Sequence, residues 1–547
     1  MTLARADRLR KARSLFTARR WSDACTQFEA ADDDESLGGH DLARLAAAQH
    51  LVGRELESAD TWSRAFDVAR EQGELTWAAR CGFWVGFVFL NRGDLPGGNG
   101  WIARVQRVLT DVKASVVEAG YVQYLVALRT IFDGDAEAAY ALFEDAAHAG
   151  VRFGDRDLET LALLGQGRAL IRLGRPEDGV ACLDEAIVGI PSGDISPVVV
   201  GDSYCTAIEG CQELFDVRRA QRWTEELSHW CEQYPDLVAF RGHCQLHRAE
   251  ALTLRGSWPD ALSEVDRALE HHARPAGQLA VGAAHYQQGE LHRLRGEVEQ
   301  AEAAYQAARR RGRQPQPGLS LLRLAQGHVA EAEAAIHRAL AEADDPTTRS
   351  RLLPAAAEIL VATHDLDGAV EVCDELEATA ASFRSRMLKT VVAHSRGMVQ
   401  LAANEPEGAL PLLRQALEEW HALDVPYQAA RVHVLVGRAS RVLGDEEGAR
   451  SEWAAARETF ADLGAQPDLE QVVALLAEGA DRDLHGLSAR QLEVLMHVAA
   501  GRSNREIADA LVISHRTVER HLSDIFTKLD VSSRAAATAY AYKHGLV

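Results

Sequence analysis

Residues 134–147 have the sequence GDAEAAYALFEDAA, and its pattern returns in GSWPDALSEVDRAL (256–269), GEVEQAEAAYQAA (296–308) and GDEEGARSEWAAA (444–456). Each stretch begins with Gly and a polar turn, and then places a small residue four positions before a large apolar one. A Gly in the left-handed conformation ends one helix, and a small residue lets the next helix pack closely against it. Each copy therefore predicts a pair of antiparallel helices.

The small residue of this pattern recurs with a period near 40 residues. We place it at Ala24, Ala59, Gly97, Ala139, Gly179, Ala220, Ala261, Ala301, Ala332, Ala369, Ala409 and Ala449. One helix pair cannot bury its apolar face alone, so successive pairs stack on one another. The spacing predicts about 12 helix pairs in a superhelical solenoid over residues 1–478. This pattern resembles the tetratricopeptide repeats in a longer form.

Composition supports an all-α fold without membrane spans. Ala, Leu, Arg and Glu dominate the 547 residues, and these residues favour helix. The N-terminus lacks the apolar segment of a signal peptide, and the longest apolar run, residues 81–90, is about half a membrane span. The eight Cys are scattered without a CxxC pair, which is typical of reduced, buried thiols. We expect a cytoplasmic protein with no membrane partner.

The last residues, 484–547, form a separate module of four short helices, preceded by a linker at 479–483. Ser488 with Gln491, and Ser503 with Glu506, have the spacing of capping boxes. Ser514 is expected to cap the third helix, and Ser532 or Ser533 the fourth. The turn at 512–514 between the second and third helices has the length that helix-turn-helix motifs use.

The third helix of the module has an apolar face and a polar face. Val518, Leu522, Ile525 and Leu529 cluster on one side of a helical wheel, and Arg516, Arg520, Ser523 and Thr527 lie opposite. The polar side chains are the ones that would enter a major groove. Arg520 has the donor geometry to bond both acceptors of a guanine edge.

Three stretches of the module resemble the C-terminal domain of the LuxR-type regulators: SNREIADALVIS (503–514), TVERH (517–521) and DIFTKLDVSSR (524–534). The resemblance covers about 60 residues without gaps. It implies DNA contacts from Thr517, Glu519, Arg520, His521 and Ser523. By the same resemblance, Ser503, Asn504 and Lys528 approach the DNA backbone, and the last helix, residues 533–543, makes a homodimer.

The module departs from this family at three positions. Glu519 stands where many relatives carry Lys or Arg, and Asp524 replaces a common Asn. A carboxylate cannot hold phosphate, although it can accept a hydrogen bond from cytosine N4. Both carboxylates change the pattern of base contacts that the resemblance implies, and both weaken the electrostatic attraction to DNA. Gln491 replaces a common Glu, but Gln still closes a capping box.

Charge is divided unevenly along the chain. The net charge is −22, while residues 484–547 carry eight Arg and Lys against six Asp and Glu, a net of +2. The remainder is therefore −22 − 2 = −24. Because an acidic surface repels phosphate, the repeat array is excluded as the DNA surface, and the small module is permitted as one.

The sequence offers no constellation for catalysis or for a cofactor. None of the five Lys follows a Gly, so a phosphate-binding Walker A loop is absent. His243 and His247 are four apart, as metal ligands on one helix face can be, but buried thiols and ordinary His explain this Cys- and His-rich region better. We expect no catalytic residue, no metal and no cofactor.

Two functions from different classes remain. The first is a transcription regulator that binds double-stranded DNA through the module, while the array senses a protein, peptide or small effector. The second is a protein-interaction scaffold whose module is only a weak accessory DNA binder. Glu519 and the net charge of −22 favour the second function, whereas the resemblance to LuxR-type regulators favours the first. An enzyme is the least supported class.

Overall fold

The structure is a computed structural model, and it describes residues 3–272, 278–483, 487–544 and 546. Within these residues the regular elements are 29 α-helices and a short 3-10 helix at Ile190–Ser192, with no strand. By their contacts the residues divide into two compact units, Met1–Gln428 and Ala429–Val547. The expected all-α class, with tetratricopeptide-like helix pairs followed by a four-helix module, is confirmed.

The first unit consists of helices joined by short turns. Its helices are α1 (Leu3–Thr17), α2 (Trp21–Asp34), α3 (Gly39–Leu51), α4 (Glu55–Glu71), α5 (Leu75–Asn91), α6 (Leu95–Thr110), α7 (Val117–Phe132), α8 (Ala136–Phe153), α9 (Arg156–Arg172), α10 (Pro176–Val188), α11 (Pro197–Glu213), α12 (Val217–Gln233), α13 (Arg241–Leu254), α14 (Trp258–His272), α15 (Gln278–Arg295), α16 (Val298–Arg310), α17 (Gly318–Ala325), α18 (Val329–Glu342), α19 (Pro346–Ala362), α20 (Leu366–Phe383), α21 (Arg386–Ala402) and α22 (Pro406–Ala422).

Three further helices of the same kind and then the four helices of the module follow, and all but the first three residues of α23 belong to the second unit. They are α23 (Pro426–Val442), α24 (Glu446–Leu463), α25 (Gln466–Asp483), α26 (Ala489–Ala499), α27 (Asn504–Leu511), α28 (His515–Lys528) and α29 (Arg534–Lys543). The expected linker at 479–483 is instead the last part of α25. Its Ala, Asp and Arg residues continue the helix, and residues 484–486 lie outside the described residues.

The predicted small positions are correct in ten of the twelve pairs and wrong by one residue in two. In the ten pairs the small residue is the fifth residue counted from the N-cap of the second helix, as Ala449 is after Asp445. By that count the equivalent residues are Ser58 rather than Ala59, and Gly98 rather than Gly97. Ser58 fills a place expected for Ala because its buried hydroxyl donates to the carbonyl of Ala46 at 2.7 Å. A Cβ on Gly98 would meet Leu90 Cδ2 at 2.4 Å.

A left-handed residue precedes the second helix of every pair. Eight of these residues are Gly, at Gly53, Gly93, Gly134, Gly174, Gly256, Gly296, Gly327 and Gly444. The other four are Arg19, Phe215, His364 and Asn404, so these copies lack the Gly that begins the clearest ones. The turn geometry therefore repeats even where the expected residue type does not.

The first helices of successive pairs pack against each other as well as against their own partners. Contacts join α5 to α7, α7 to α9, α9 to α11 and α11 to α13. Arg80 on α5 ties three of these helices together. It bonds Glu118 at 3.2 Å and Asp155 at 2.8 Å, and its guanidinium carbon lies 3.9 Å from the ring centre of Tyr121. The Tyr121 hydroxyl donates to Asp155 at 2.8 Å.

Residues far apart in the chain also meet within the first unit. Near the N-terminus, Arg19 Nη1 donates to the hydroxyl of Tyr234 at 2.6 Å, 215 positions later. Farther along, Arg384 and Glu177 form an ion pair of 2.5 Å across 207 positions. The two separations are similar, each about five repeats of 40 residues. Contacts between distant pairs thus recur along the array, a feature that the repeat pattern did not predict.

Candidate nucleic-acid interface

Helices α26–α29 have an apolar core of their own. The cluster comprises Leu487, Val494, Leu495, Val498, Ile507, Ala508, Val518, Leu522, Ile525, Leu529, Ala537 and Ala541. The four residues expected to face inward from α28 are all in it. Because this core is drawn from α26–α29 and the residues beside them, it fixes the orientation of α28 locally.

The predicted caps set the helix starts. Ser488 with Gln491 and Ser503 with Glu506 form complete capping boxes, and Ser514 and Ser533 cap α28 and α29. The Ser503 amide donates to the Glu506 carboxylate at 2.7 Å, and this bond lowers the pKa of Glu506. Replacing the family's Glu by Gln491 thus leaves the first box intact.

The turn between α27 and α28 contains a residue in an unusual conformation. Val512 has φ 54° and ψ 47°, which is left-handed, and it is 89% exposed. A β-branched residue pays a steric cost in this region. The amide of Val512 nevertheless donates to the Ala508 carbonyl, so a hydrogen bond closes the last turn of α27.

The exposed face of α28 carries the polar residues that were predicted for it. Arg516, Arg520, Ser523 and Thr527 are exposed, on the side away from Val518 and Ile525. Among the described residues, neither Arg516 nor Arg520 has a hydrogen-bond or ion-pair partner. Their guanidinium groups therefore present all their donors to solvent, as a base or phosphate contact requires.

Three of the other expected contact residues have structural partners, and a fourth, His521, differs. The Thr517 hydroxyl bonds that of Ser514 at 2.6 Å, and Asn504 Oδ1 accepts from Arg534 at 2.9 Å. Ser503 serves α27 as its N-cap, and the buried Nδ1 of His521 has no hydrogen-bond partner in the described chain.

Lys528 is anchored within the module. Its Nζ donates to Gln491 Oε1 at 2.8 Å, and the same oxygen accepts from the Ser488 amide at 2.9 Å. The C-terminal end of α28 is thereby tied to the start of α26. Sequence reasoning missed this link, because the two residues are 37 positions apart and neither is unusual alone.

Glu519 lies on the same exposed face. Its carboxylate is 57% exposed, and Oε1 lies 3.5 Å from Nδ1 of His515, one turn earlier. The face is therefore mixed in charge, with one carboxylate between two arginines in sequence.

Comparison with known families agrees with this geometry. The model of the bacterial regulatory proteins of the luxR family matches residues 485–541. The C-terminal segment is a LuxR-type domain. A tetratricopeptide repeat model matches residues 246–315 and 394–461, so repeats of that class precede the LuxR-type domain.

Curated relatives resemble the LuxR-type domain alone. The transcriptional regulatory protein LiaR of Bacillus subtilis is 44% identical over 61 residues, which are 11% of this chain and 29% of LiaR. The response regulator protein VraR of Staphylococcus aureus matches over the same lengths with the same identity. The chain thus spans less than a third of the length of these relatives.

Solved structures resemble the chain only loosely. A Rap protein complexed with competence and sporulation factor covers 73% of this chain and 99% of its own, at 13% identity and a TM-score of 0.38. The Cut9–Hcn1 assembly of the APC/C covers 84% of this chain and 95% of its own, at 13% identity and a TM-score of 0.37.

The remaining candidates from the sequence lie in the helix pairs. His247 is buried, and burial lowers its pKa to about 3. Among the described residues, no group of three or more His, Cys, Asp or Glu is placed to hold a metal ion. The described helices also include none with both the length and the apolar character needed to cross a bilayer.

Proposed function

We propose that this chain is a transcription regulator that binds double-stranded DNA by inserting α28 into the major groove. The observation that carries the proposal is a pair of arginines, Arg516 and Arg520, on the face of α28 opposite its buried residues, with no partner for either in the described part of the chain. A helix with free guanidinium groups on its outer face suits guanine O6 and N7, and also phosphate.

The assigned contacts combine the resemblance to LuxR-type regulators with the outer face of α28. By the resemblance, we assign base contacts to Thr517, Glu519, Arg520, His521 and Ser523, and backbone contacts to Ser503, Asn504 and Lys528. Arg516 and Thr527 share the exposed face of α28 with Arg520 and Ser523 and enter the major groove with them. Residues that already have internal hydrogen bonds enter the interface pre-oriented, since their rotamers are fixed before DNA arrives.

A single LuxR-type domain is a weak binder on electrostatic grounds. Its net charge of +2 allows few phosphate contacts, whereas two domains joined through α29 double them and match a palindromic site. Dimerisation through residues 533–543 is part of the proposal, and footprinting of one or two half-sites tests it.

We further propose that different segments of the chain have different roles. Residues 1–478 bind the effector that controls the protein, residues 479–483 connect this array to the LuxR-type domain, and residues 484–547 bind DNA. The array, with a net charge near −24, is suited to a protein, peptide or small effector and not to phosphate. Deleting residues 1–478 should keep the preferred DNA sequence and abolish the regulatory response. An unchanged response would favour the scaffold alternative.

The primary test is selection of binding sites from random duplexes by the full chain, followed by affinity measurements at several salt concentrations. Arg520→Ala should cost roughly 1–3 kcal/mol of sequence discrimination. Lys528→Ala should weaken all sequences alike and reduce the salt slope by about one. Arg457→Ala, an exposed arginine of α24, is the charge-matched control and should change neither quantity. Absence of binding at low salt would refute the proposal.

A further inference from the structure

Glu519 is an exposed carboxylate on the surface that we assign to DNA. It lies in the second turn of α28, three residues after Arg516 and directly before Arg520. Its one partner among the described residues is His515, with 3.5 Å between Oε1 and Nδ1. Neither neighbouring arginine neutralises it, so its oxygens remain available as acceptors.

A carboxylate in a major groove has few favourable positions. It is repelled by phosphates and by the acceptor atoms of guanine, adenine N7 and thymine O4, so it needs an amino donor. Leaving it desolvated without a donor costs more than a neutral group would. The two amino donors in the groove are cytosine N4 and adenine N6.

The flanking atoms favour cytosine over adenine. Adenine N6 has an acceptor on each side, its own N7 and the O4 of the paired thymine. Cytosine N4 has the O6 of the paired guanine on one side and the C5–H edge on the other. A carboxylate that approaches cytosine therefore meets one repulsive neighbour, and one that approaches adenine meets two.

We propose that Glu519 is a specificity-determining residue that accepts a hydrogen bond from the N4 amino group of a cytosine. The chain then selects cytosine at one position of each half-site. This inference rests on the proposed function and names one base of its target. Compared with the Lys or Arg of many relatives, a carboxylate at position 519 lowers the affinity for DNA of any sequence, because it does not attract phosphate. It raises sequence selectivity, because it requires a base with an amino donor.

The test compares site selection by the full chain, by Glu519→Gln and by Asp509→Asn. The last variant removes the same charge from an exposed position on α27, outside the assigned face. Wild-type protein should enrich cytosine at one position by about tenfold over the other bases. Glu519→Gln should lose that preference and shift toward adenine, whose N6 and N7 match an amide. Asp509→Asn should retain the cytosine.

A double-mutant cycle, which combines two proteins with two duplexes of fixed sequence, gives a second measurement that does not depend on binding-site selection. Exchanging the selected C·G pair for T·A should weaken wild-type binding about tenfold and Glu519→Gln binding less than twofold. Equal losses for both proteins, or a cytosine preference that survives in Glu519→Gln, would overturn the inference and leave DNA binding intact. Failure of the wild-type chain to bind any duplex would instead refute the proposed function, and the inference with it.

Discussion

The backbone amide of Val238, in the loop between α12 and α13, donates to the carbonyl of Leu51 at 2.8 Å, although the two residues are far apart in the chain. The amide of Ala239 donates to the same carbonyl at 3.1 Å. Leu51 is the last residue of α3, where carbonyls lack partners inside the helix. A distant segment thus caps this helix, which joins the beginning of the array to its middle.

Gly53 offers a way to test this junction. It has φ +80°, and a Cβ there would lie 2.9 Å from Cγ1 of Val238. Gly73 has φ +78° and nothing within 4 Å of its hypothetical Cβ. Gly73→Ala should cost about 1 kcal/mol from backbone strain alone, and Gly53→Ala about 1 kcal/mol more from the clash. Thermal unfolding measures both. Hydrogen exchange should quicken at the amides of 238 and 239 only in Gly53→Ala; similar exchange in both variants would argue against the junction.

The network around Arg80 predicts a large loss of stability. Arg80, Glu118 and Asp155 have side chains only 18%, 12% and 17% exposed. Arg80→Ala leaves two largely buried carboxylates without their cation, and we expect a loss of about 3 kcal/mol in chemical denaturation. Arg175→Ala, which removes an exposed pair with Asp178, should leave the stability almost unchanged. Similar losses in the two variants would show that the network contributes little.

Val512 predicts a gain in stability by substitution. Asn tolerates the left-handed conformation better than a β-branched residue, and an 89% exposed side chain has little burial to lose. Val512→Asn should stabilise the LuxR-type domain by about 1 kcal/mol, measured as slower hydrogen exchange in α27 and α28 of the full chain. The control is Asp530→Asn at φ 50°, where a tolerant residue is already present and little should change. Faster exchange in Val512→Asn would contradict the assigned strain.

The buried thiols of Cys25, Cys81 and Cys373 should be unreactive in the folded chain. Burial raises the pKa of Cys25 and Cys81 to about 12 and that of Cys373 to about 11. Below these values the thiolate, which is the nucleophile, is scarce, so alkylation should accelerate as pH rises toward them. Cys182 is the half-exposed one of the eight and should react first with iodoacetamide at pH 8, as followed by peptide mass spectrometry. Equal labelling of all eight in native protein would exclude this burial; equal labelling in urea is the expected control.

Local sequence patterns predicted the helices and their caps. They could not locate features that depend on tertiary contacts. The caps at Ser503 and Ser514, and the two faces of α28, follow from spacing within a single turn or helix, and the structure has them where the sequence placed them. The predicted small positions differ by one residue from the observed ones, Ser58 and Gly98. Several neighbouring residues there are small, and only packing selects among them.

Contacts between distant residues have no local pattern. Nothing near Lys528 indicates that it bonds Gln491, and nothing near Leu51 indicates a partner at Val238. The segment 479–483, expected as a linker, lies in α25, since its small and charged residues suit a helix as well as a coil. The contacts that the site makes with DNA stay predictions.

The capping of α3 by residues 238 and 239 has a consequence for how the chain is made. A strictly linear stack of helix pairs can complete each pair as it leaves the ribosome. Here the Leu51 carbonyl has no partner until a segment roughly 190 residues later has been synthesised, a delay of about 10–40 s at ordinary rates of translation. During that interval the early helices expose surface that the finished protein covers. We therefore expect the first pairs to be among the parts of the nascent chain that a chaperone protects.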